Sequence, residues 1–143
     1  MRIEEILHRK EQSGVVTIAP DEPVRALVAL LDEHRIGACV VSNDGADVVG
    51  IVSERDVVRR LNGDGDVLGS TVASIMTATV ATCTPEATVD ELMATMTEHR
   101  IRHVPVLVEG RLTGIVSIGD LVKHRIDQLT FERDQLETYV QQS

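Results

Sequence analysis

Two serine–aspartate pairs are the groups of this sequence best suited to hold a ligand. Ser53 precedes Asp56 by three residues, Ser117 precedes Asp120 by three, and each serine directly follows the letters GIV. If a helix begins there, its first N–H groups and the positive end of its dipole can hold a phosphate. The carboxylate can accept hydrogen bonds from two ribose hydroxyls. The same spacing also makes an ordinary helix cap, so capping and ligand binding are both open.

Arg102 and His103 are a second group with a possible chemical use. Arginine can donate two parallel hydrogen bonds to phosphate oxygens, and the adjacent histidine adds a donor whose charge depends on pH. Arg100 and Arg111 flank them in a chain whose net charge is −9. The alternative is a solvated cationic cluster at the carboxyl end of a helix, where the dipole favours positive charge.

These groups lie in a segment that the chain contains twice. Residues 98–120 read EHRIRHVPVLVEGRLTGIVSIGD, and residues 33–56 read EHRIGACVVSNDGADVVGIVSERD. Both copies contain EHRI, an apolar run, a turn with glycine, GIVS and a final aspartate. The chain is therefore an internal repeat, and the differences between its copies are informative.

The two copies differ in their cations. Gly37 and Ala38 of the first copy stand where the second has Arg102 and His103. Arg55 of the first copy is replaced by glycine in the second, so it could restore one cation or simply be a surface arginine. We therefore expect two sites that share serine and aspartate and differ in affinity or in ligand.

The spacing of apolar residues predicts a β-α-β-β-α unit that occurs twice. Each unit begins with a short β-rich run that ends at a proline, at residues 15–18 and 80–83. A helix with one apolar stripe follows. The stripes consist of Val24, Leu27, Val28 and Leu31 in the first unit and of Val89, Leu92, Met93 and Met96 in the second. Two apolar runs come next, at residues 38–41 and 48–52 and at residues 104–108 and 112–116. Thr88 and Glu91, at the start of the striped helix of the second unit, match a capping box. Glu109 and Gly110, between the last two runs, are predicted to form a two-residue hairpin turn. The second helix of each unit is predicted to start at Ser53 or Ser117.

Three further segments surround these units. Residues 1–12 are amphipathic through Ile3, Ile6 and Leu7, with a weak echo at residues 72–76. Residues 61–70 contain three glycines and are predicted to form an exposed loop. After Asp120, apolar residues recur at intervals near three and four, which predicts a helix that continues to about residue 141 as a partner-binding tail.

Composition excludes several classes of protein. Lysine and arginine total 14 against 23 acidic residues, and aromatic residues make up 1%, so the cationic surface and stacking rings of a nucleic-acid partner are missing. No run approaches the roughly 18 apolar residues of a membrane span, and a soluble cytoplasmic protein is expected. The histidines and cysteines lack the spacing of a metal site, and Cys39 and Cys83 are expected to be reduced core thiols. No nucleophile or carboxylate pair is placed for catalysis, so an enzyme is not expected.

The repeated motifs EHRIRHVPV, GIVSIGD and GIVSERD resemble those of the CBS domain. Over about residues 1–126 the chain is similar to a stand-alone CBS-domain pair, or Bateman module. The resemblance implies an α+β fold in which tandem β-α-β-β-α repeats pack with pseudo-twofold symmetry, followed here by a C-terminal helix. We assign residues 1–69 to the first repeat with its N-terminal segment and linker, 70–126 to the second repeat and 127–143 to a helical extension.

The resemblance also implies that clefts between the repeats bind an adenosine nucleotide as ligand, with no cofactor required. AMP is the first candidate, and ATP, NAD and S-adenosylmethionine are alternatives. The residues expected at phosphate and ribose are Ser53, Asp56, Ser117, Asp120, Arg102 and His103, with Arg55 as a further cation. The residues expected around the adenine, which could equally be ordinary core positions, are Ile36, Gly37, Ala38, Val104, Thr17 and Thr82.

Such a module is expected to be regulatory and to signal in trans to an unknown protein. The resemblance implies a homodimer formed through the first helices of the repeats, whose apolar stripes would suit that contact. The alternative function is a structural or protein-interaction dimer whose clefts hold no ligand.

Overall fold

The computed structural model describes residues 1–10, 15–63 and 65–142 and confirms the tandem α+β fold. The first repeat consists of β1 (Thr17–Ile18), α2 (Val24–His34), β2 (Ala38–Val41), β3 (Gly50–Ser53) and α3 (Glu54–Gly63). The second consists of α5 (Val89–His99), β4 (His103–Val108), β5 (Arg111–Ser117) and α6 (Ile118–Gln142). Two short helices precede them, α1 (Ile3–Arg9) and α4 (Val72–Ile75), and a 3₁₀ turn spans Val67–Gly69. Residues 11–14, at the end of the predicted amphipathic segment and just after it, and residue 64 of the predicted loop lie outside the described residues.

The two small sheets differ in their first strand. In the first repeat β1 runs parallel to β2, and β2 pairs antiparallel with β3. In the second repeat β4 and β5 form an antiparallel pair, and the strand predicted at residues 80–83 is reduced to one bridge between Cys83 and Val106. Just before this run, Thr77 pairs with Ile51 of the other repeat.

Turn and cap chemistry fixes the ends of the elements in the second repeat. Glu109 and Gly110, with φ of 51° and 78°, form the predicted two-residue turn between β4 and β5, as a type I′ hairpin requires. At the start of α5, the Glu91 N–H donates to Thr88 Oγ1 at 3.1 Å and the Thr88 N–H donates to Glu91 Oε2 at 3.3 Å. The predicted capping box is therefore confirmed.

The two hydrophobic cores are assembled crosswise. Helix α1 packs with the second repeat, where Ile3 and Ile6 join the core that contains Leu92. Helix α4 packs with the first repeat, where Val72 and Ile75 join the other core. Each short helix thus completes the core of the repeat that it does not directly precede. The division of the chain at residues 69–70 and 126–127 stays a prediction.

The glycines of the two GIVS motifs make this crosswise packing possible. A Cβ on Gly114 would lie 2.8 Å from Leu7 Cδ2, and a Cβ on Gly50 would lie 2.6 Å from Met76 Sδ and 2.8 Å from Thr77 O. All three distances are shorter than a real Cβ contact allows. The weak echo of residues 3–7 in residues 72–76 therefore marks two segments with the same role.

The apolar stripes of α2 and α5 fill the cores of their own chain. The buried members are Val24, Leu27, Leu31, Val89, Leu92 and Met96, all at most 7% exposed. Val28, by contrast, is 40% exposed. The prediction that these stripes form the dimer contact is wrong, because most of each stripe is already covered within the chain. The homodimer itself stays a prediction.

The C-terminal helix extends beyond the two cores. Leu121 and His124 are its buried residues, whereas every residue from 126 to 142 is exposed. The predicted helical tail is therefore confirmed. Among the described residues, no helix is long and apolar enough to cross a membrane.

Candidate functional site

A cavity of about 850 Å³ lies between the two repeats and the end of α1. Its wall combines α1, the segment before β1, the segment between α2 and β2, strand β5 and the start of α6. The lining residues are Ile6, Leu7, Arg9, Lys10, Val15, Val16, Arg35, Ile36, Gly37, Ala38, His103, Thr113, Gly114, Ile115, Ser117, Asp120, Lys123, His124 and Asp127. The size is in the range of pockets that hold small organic ligands.

Ser117 and Asp120 form a reciprocal cap at the start of α6. The Ser117 N–H donates to Asp120 Oδ2 at 2.9 Å, and the Asp120 N–H donates to Ser117 Oγ at 3.1 Å. Both residues are half-buried and border the cavity. The capping interpretation is therefore correct, and the same two side chains remain available to a ligand.

Lys10 reaches the cap from the other end of the chain. Its Nζ donates to Asp120 Oδ2 at 3.0 Å and to Ile115 O at 2.8 Å. Burial raises the pKa of Asp120, but the hydrogen bonds from Ser117 and Lys10 outweigh it, so the pKa lies below its usual value. The carboxylate is thus ionised at neutral pH, and within the described residues no donor occupies its second oxygen, Oδ1.

His103 lies beside this carboxylate. Burial lowers its pKa most strongly, Lys10 and Arg102 lower it further, and the negative charges of Asp120 and Glu54 partly oppose them. The imidazole is therefore mainly neutral at pH 7. His103 is thus present at the cavity as the predicted second donor, but its imidazole is mainly uncharged.

The segment between α2 and β2 brings the first repeat to the same cavity. Arg35 follows the last residue of α2 and adopts the left-handed conformation with φ of 53°. The Ile36 N–H donates to Leu31 O at 3.1 Å. This helix-terminating geometry directs the chain back toward the sheet. Gly37 and Ala38 consequently line the same cavity as the serine–aspartate cap of the second repeat. The predicted contrast between two separate sites is wrong at this point, because residues of both copies share one wall.

The other predicted site residues lie elsewhere. Arg102 is exposed and outside the cavity wall, although its backbone oxygen accepts from the Ile118 N–H at 2.8 Å. Val104 is fully buried in a core. Thr17 is half-buried in β1, and Thr82 is exposed.

The first serine–aspartate pair is also separate from the cavity. Ser53 N and Oγ both donate to Asp56 Oδ2, at 2.8 and 3.2 Å, so this pair caps α3. Arg55 is exposed. Six predicted residues therefore meet at the cavity, namely Ile36, Gly37, Ala38, His103, Ser117 and Asp120.

Cations at the cavity were not identified from the sequence. Arg9, Lys10, Arg35 and Lys123 border it, against the carboxylates of Asp120 and Asp127. Arg9 and Lys10 arrive only through the crosswise packing of α1, which local periodicity does not reveal. Arg35 belongs to the repeated EHRI motif, which could have drawn attention to it.

His124 is the most unusual residue of the wall. It is only 5% exposed, and both of its ring nitrogens are buried without a hydrogen-bond partner among the described residues. A buried polar group without a partner costs free energy, on the order of 1 to 3 kcal/mol. It lies one helical turn after Asp120 and borders the same cavity.

The two cysteines do not take part in this site. Both are free, Cys39 buried and Cys83 half-buried, and burial raises the pKa of each thiol to about 11. Within the described residues, no group of three or more histidine, cysteine or acidic side chains is arranged to hold a metal ion.

Comparison with known proteins identifies the repeats. The family model of the CBS domain matches residues 3–63 and 72–127. The chain is 37% identical over 126 residues to the mitochondrial CBS domain-containing protein CBSX3 of Arabidopsis thaliana, a match that covers 85% of this chain and 61% of that protein. The chain thus spans about three fifths of that relative's length.

Solved structures show the same architecture. A CBS-domain protein of Agrobacterium tumefaciens superimposes with a TM-score of 0.83 and 43% identity, covering 87% of this chain and 99% of that one. The CBS domain pair of protein MJ0100, solved in complex with 5′-methylthioadenosine and S-adenosyl-L-methionine, superimposes with a TM-score of 0.79, covering 90% of this chain and 98% of that one. At 22% identity the latter likeness shows the fold alone.

Proposed function

The chain belongs to the CBS-domain family as a tandem regulatory pair, and we propose that it binds an adenosine nucleotide in the cavity between its repeats. Ligand binding would then be signalled in trans to a separate protein in the cytoplasm. Catalysis, nucleic-acid binding and membrane insertion form no part of this proposal.

The observation on which the proposal rests is the combination of a capped helix start with an unpartnered histidine on one wall. Asp120 keeps one carboxylate oxygen available for ribose hydroxyls, and Ser117 lies at the helix start, where phosphates bind favourably. His124 lies on the same helix, and its ring nitrogens have no hydrogen-bond partner among the described residues. A polar ligand would satisfy all three groups at once.

The charges around the cavity favour an anion. Among the described lining residues, the four cations Arg9, Lys10, Arg35 and Lys123 outnumber two carboxylates, although the chain as a whole has a net charge of −9. Such a local excess of positive charge attracts phosphate against the general field of the protein.

The rest of the wall suits an adenine ring. Ile36, Ala38, Val15 and Val16 add aliphatic surface to the lining. Gly37 lies among them, with Glu54 Oε1 3.5 Å from where its Cβ would be. AMP is the first candidate because it combines one phosphate with ribose and adenine. ATP, NAD and S-adenosylmethionine are alternatives, and the complex of the MJ0100 pair with S-adenosylmethionine shows that the fold accepts an adenosine compound.

A ligand in this position would connect distant parts of the chain. It would contact α1, the first repeat and α6 together, and could replace the bond of Lys10 to Asp120. The ligand shifts the arrangement of these elements only by its difference in affinity for the two states. The signal to a partner would be that shift.

Isothermal titration of the purified chain with AMP, ATP, NAD and S-adenosylmethionine tests the proposal. We expect Asp120→Ala to weaken binding at least about tenfold. Asp56→Ala is the matched control, because it removes the same kind of cap outside the cavity, and it should leave binding nearly unchanged. If no compound binds at millimolar concentration, the proposal fails and the ligand-free interaction dimer becomes the better interpretation.

A further inference from the structure

The exposed part of α6 has the sequence pattern of a coiled-coil seam. Apolar side chains recur at alternating intervals of four and three residues, which is the spacing of heptad positions d and a. The seam consists of Val122, Ile126, Leu129, Arg133, Leu136 and Val140. Its apolar members are between 45% and 67% exposed.

The seam faces away from the body of the protein. Leu121 and His124, the buried residues of α6, lie about 100° and 160° around the helix from the centre of the seam. Phe131 follows His124 by two turns and continues the side of His124 beyond the cores. The covered face and the exposed seam are therefore two distinct faces of one helix.

Among the described residues, the end of α6 buries no side chain against the rest of the chain. From residue 126 to residue 142 every side chain is exposed, over a length of roughly 25 Å. An isolated helix of that length is marginal in water, and most helices in proteins are stabilised by burying one apolar face. The seam therefore requires a covering surface.

We propose that the seam pairs with the same seam of a second copy of the chain, with the two α6 helices antiparallel. In the register centred on Phe131, Ile126 packs against Leu136 of the second copy, and Val122 packs against Val140. The whole seam is then covered by an identical surface, as a twofold interface requires.

Charge decides the orientation. In the antiparallel register each Glu137 lies beside Lys123 of the second copy. Each Arg133 packs against Leu129 of the second copy, close to the place where the two Glu132 side chains meet. A parallel, in-register pair would instead place the two Arg133 side chains against each other in the core. It would also place Glu132 of each copy beside Glu137 of the other. Like charges at these positions oppose association.

The shape of the chain gives a second reason for the antiparallel pair. The folded repeats lie at the N-terminal end of α6. Parallel helices would place the two folded bodies at the same end, although each chain has a net charge of −9. Antiparallel helices place them at opposite ends of the seam.

Sedimentation velocity of the full chain at micromolar concentration tests the interface. The wild-type chain should be a dimer, and Leu129→Ser combined with Leu136→Ser should raise the dissociation constant about a hundredfold or more. Phe131→Ser is the matched control, because this equally exposed apolar residue lies off the seam, and the dimer should persist. All variants should fold, since these residues contact neither core.

A monomeric wild-type chain would overturn the proposal, as would a dimer that survives the double substitution. The orientation is tested by Glu137→Lys, which creates two Lys–Lys contacts in the antiparallel pair and weakens it severalfold. In a parallel pair the same change would create Lys–Glu contacts and strengthen association, which would contradict the proposed orientation. These results do not depend on nucleotide binding, so either proposal can fail alone.

Discussion

The two serine–aspartate caps have nearly the same geometry and very different surroundings. In each, a serine N–H donates to the aspartate Oδ2, at 2.8 Å for Ser53 and Asp56 and at 2.9 Å for Ser117 and Asp120. Among the described residues, the second pair alone meets a lysine and borders the 850 Å³ cavity. A local motif therefore determines the cap, whereas the elements packed around it determine whether the cap can also be a binding site.

The surroundings differ because the two short helices differ at their ends. Leu7 of α1 and Met76, directly after α4, occupy matching places over the GIVS glycines. Counting on from them, Arg9 and Lys10 correspond to Ala78 and Thr79, which have no charge. The crosswise packing thus delivers cations to one cap and none to the other.

The largest expected effect is on the free energy of unfolding, when each of the two GIVS glycines is replaced by alanine. Gly50→Ala should lower the free energy of unfolding by about 3 kcal/mol, because its Cβ would meet the backbone oxygen of Thr77. Gly114→Ala should cost only about 1 kcal/mol, because Leu7 can move its flexible end. Urea denaturation monitored by circular dichroism measures both, and equal losses would show that the two helices are packed alike.

The second prediction concerns the histidine of the cavity wall. His124→Leu should stabilise the ligand-free chain by about 1 kcal/mol, because it removes a buried polar group without a partner, and should weaken nucleotide binding. Arg60, the corresponding residue of the first repeat, is exposed and bonds to Ser74 O. Arg60→Leu should therefore change neither quantity much. Thermal unfolding with and without AMP checks both variants, and destabilisation by His124→Leu would contradict the assignment.

The third prediction uses the ion pair at the second cap. Lys10→Met should reduce stability by about 1 kcal/mol at neutral pH, a modest value because both side chains are partly exposed. The pKa of Asp120 is lowered in the folded chain, so its contribution is present above the unfolded value of about 3.9 and is lost as the pH falls further. The difference between wild type and variant should vanish in acid. A difference that is constant with pH would exclude the ion pair as its cause.

The smallest effect is expected from His103. Its pKa is lowered by burial, with Lys10, Arg102, Asp120 and Glu54 also acting on it. A bound phosphate would raise that pKa again, so binding takes up a proton and AMP affinity should rise severalfold as the pH falls from neutral toward about 5. His103→Gln should remove most of this dependence. Titrations at several pH values decide, and an unchanged slope in the variant would exclude this role.

Sequence alone predicted the features that depend on neighbouring residues. The helices, the capping box at Thr88 and the turn at Glu109 follow from local periodicity and hydrogen bonding. The bond between Lys10 and Asp120 joins residues 110 positions apart, and no periodic pattern relates them. For the same reason Arg102 was expected at the cavity and lies outside it.

The repeat also misled where the copies differ in structure. Gly37 and Ala38 were assigned to a site of their own because they align with Arg102 and His103. Alignment compares equivalent positions, whereas the cavity joins non-equivalent ones from both copies. Likewise, residues 80–83 align with strand β1 of the first repeat, but the structure has one bridge there, between Cys83 and Val106.

The exchange of α1 and α4 between the cores also constrains how the chain folds. Helix α1 precedes both repeats in the sequence, but the Ile3 N–H donates to Ala87 O, and the core it joins also contains residues of β5 and α6. Contacts between such distant residues slow folding, because the intervening loop must close before the contacts can form. During synthesis α1 must therefore wait for the second repeat, and the two repeats are expected to fold as one cooperative unit.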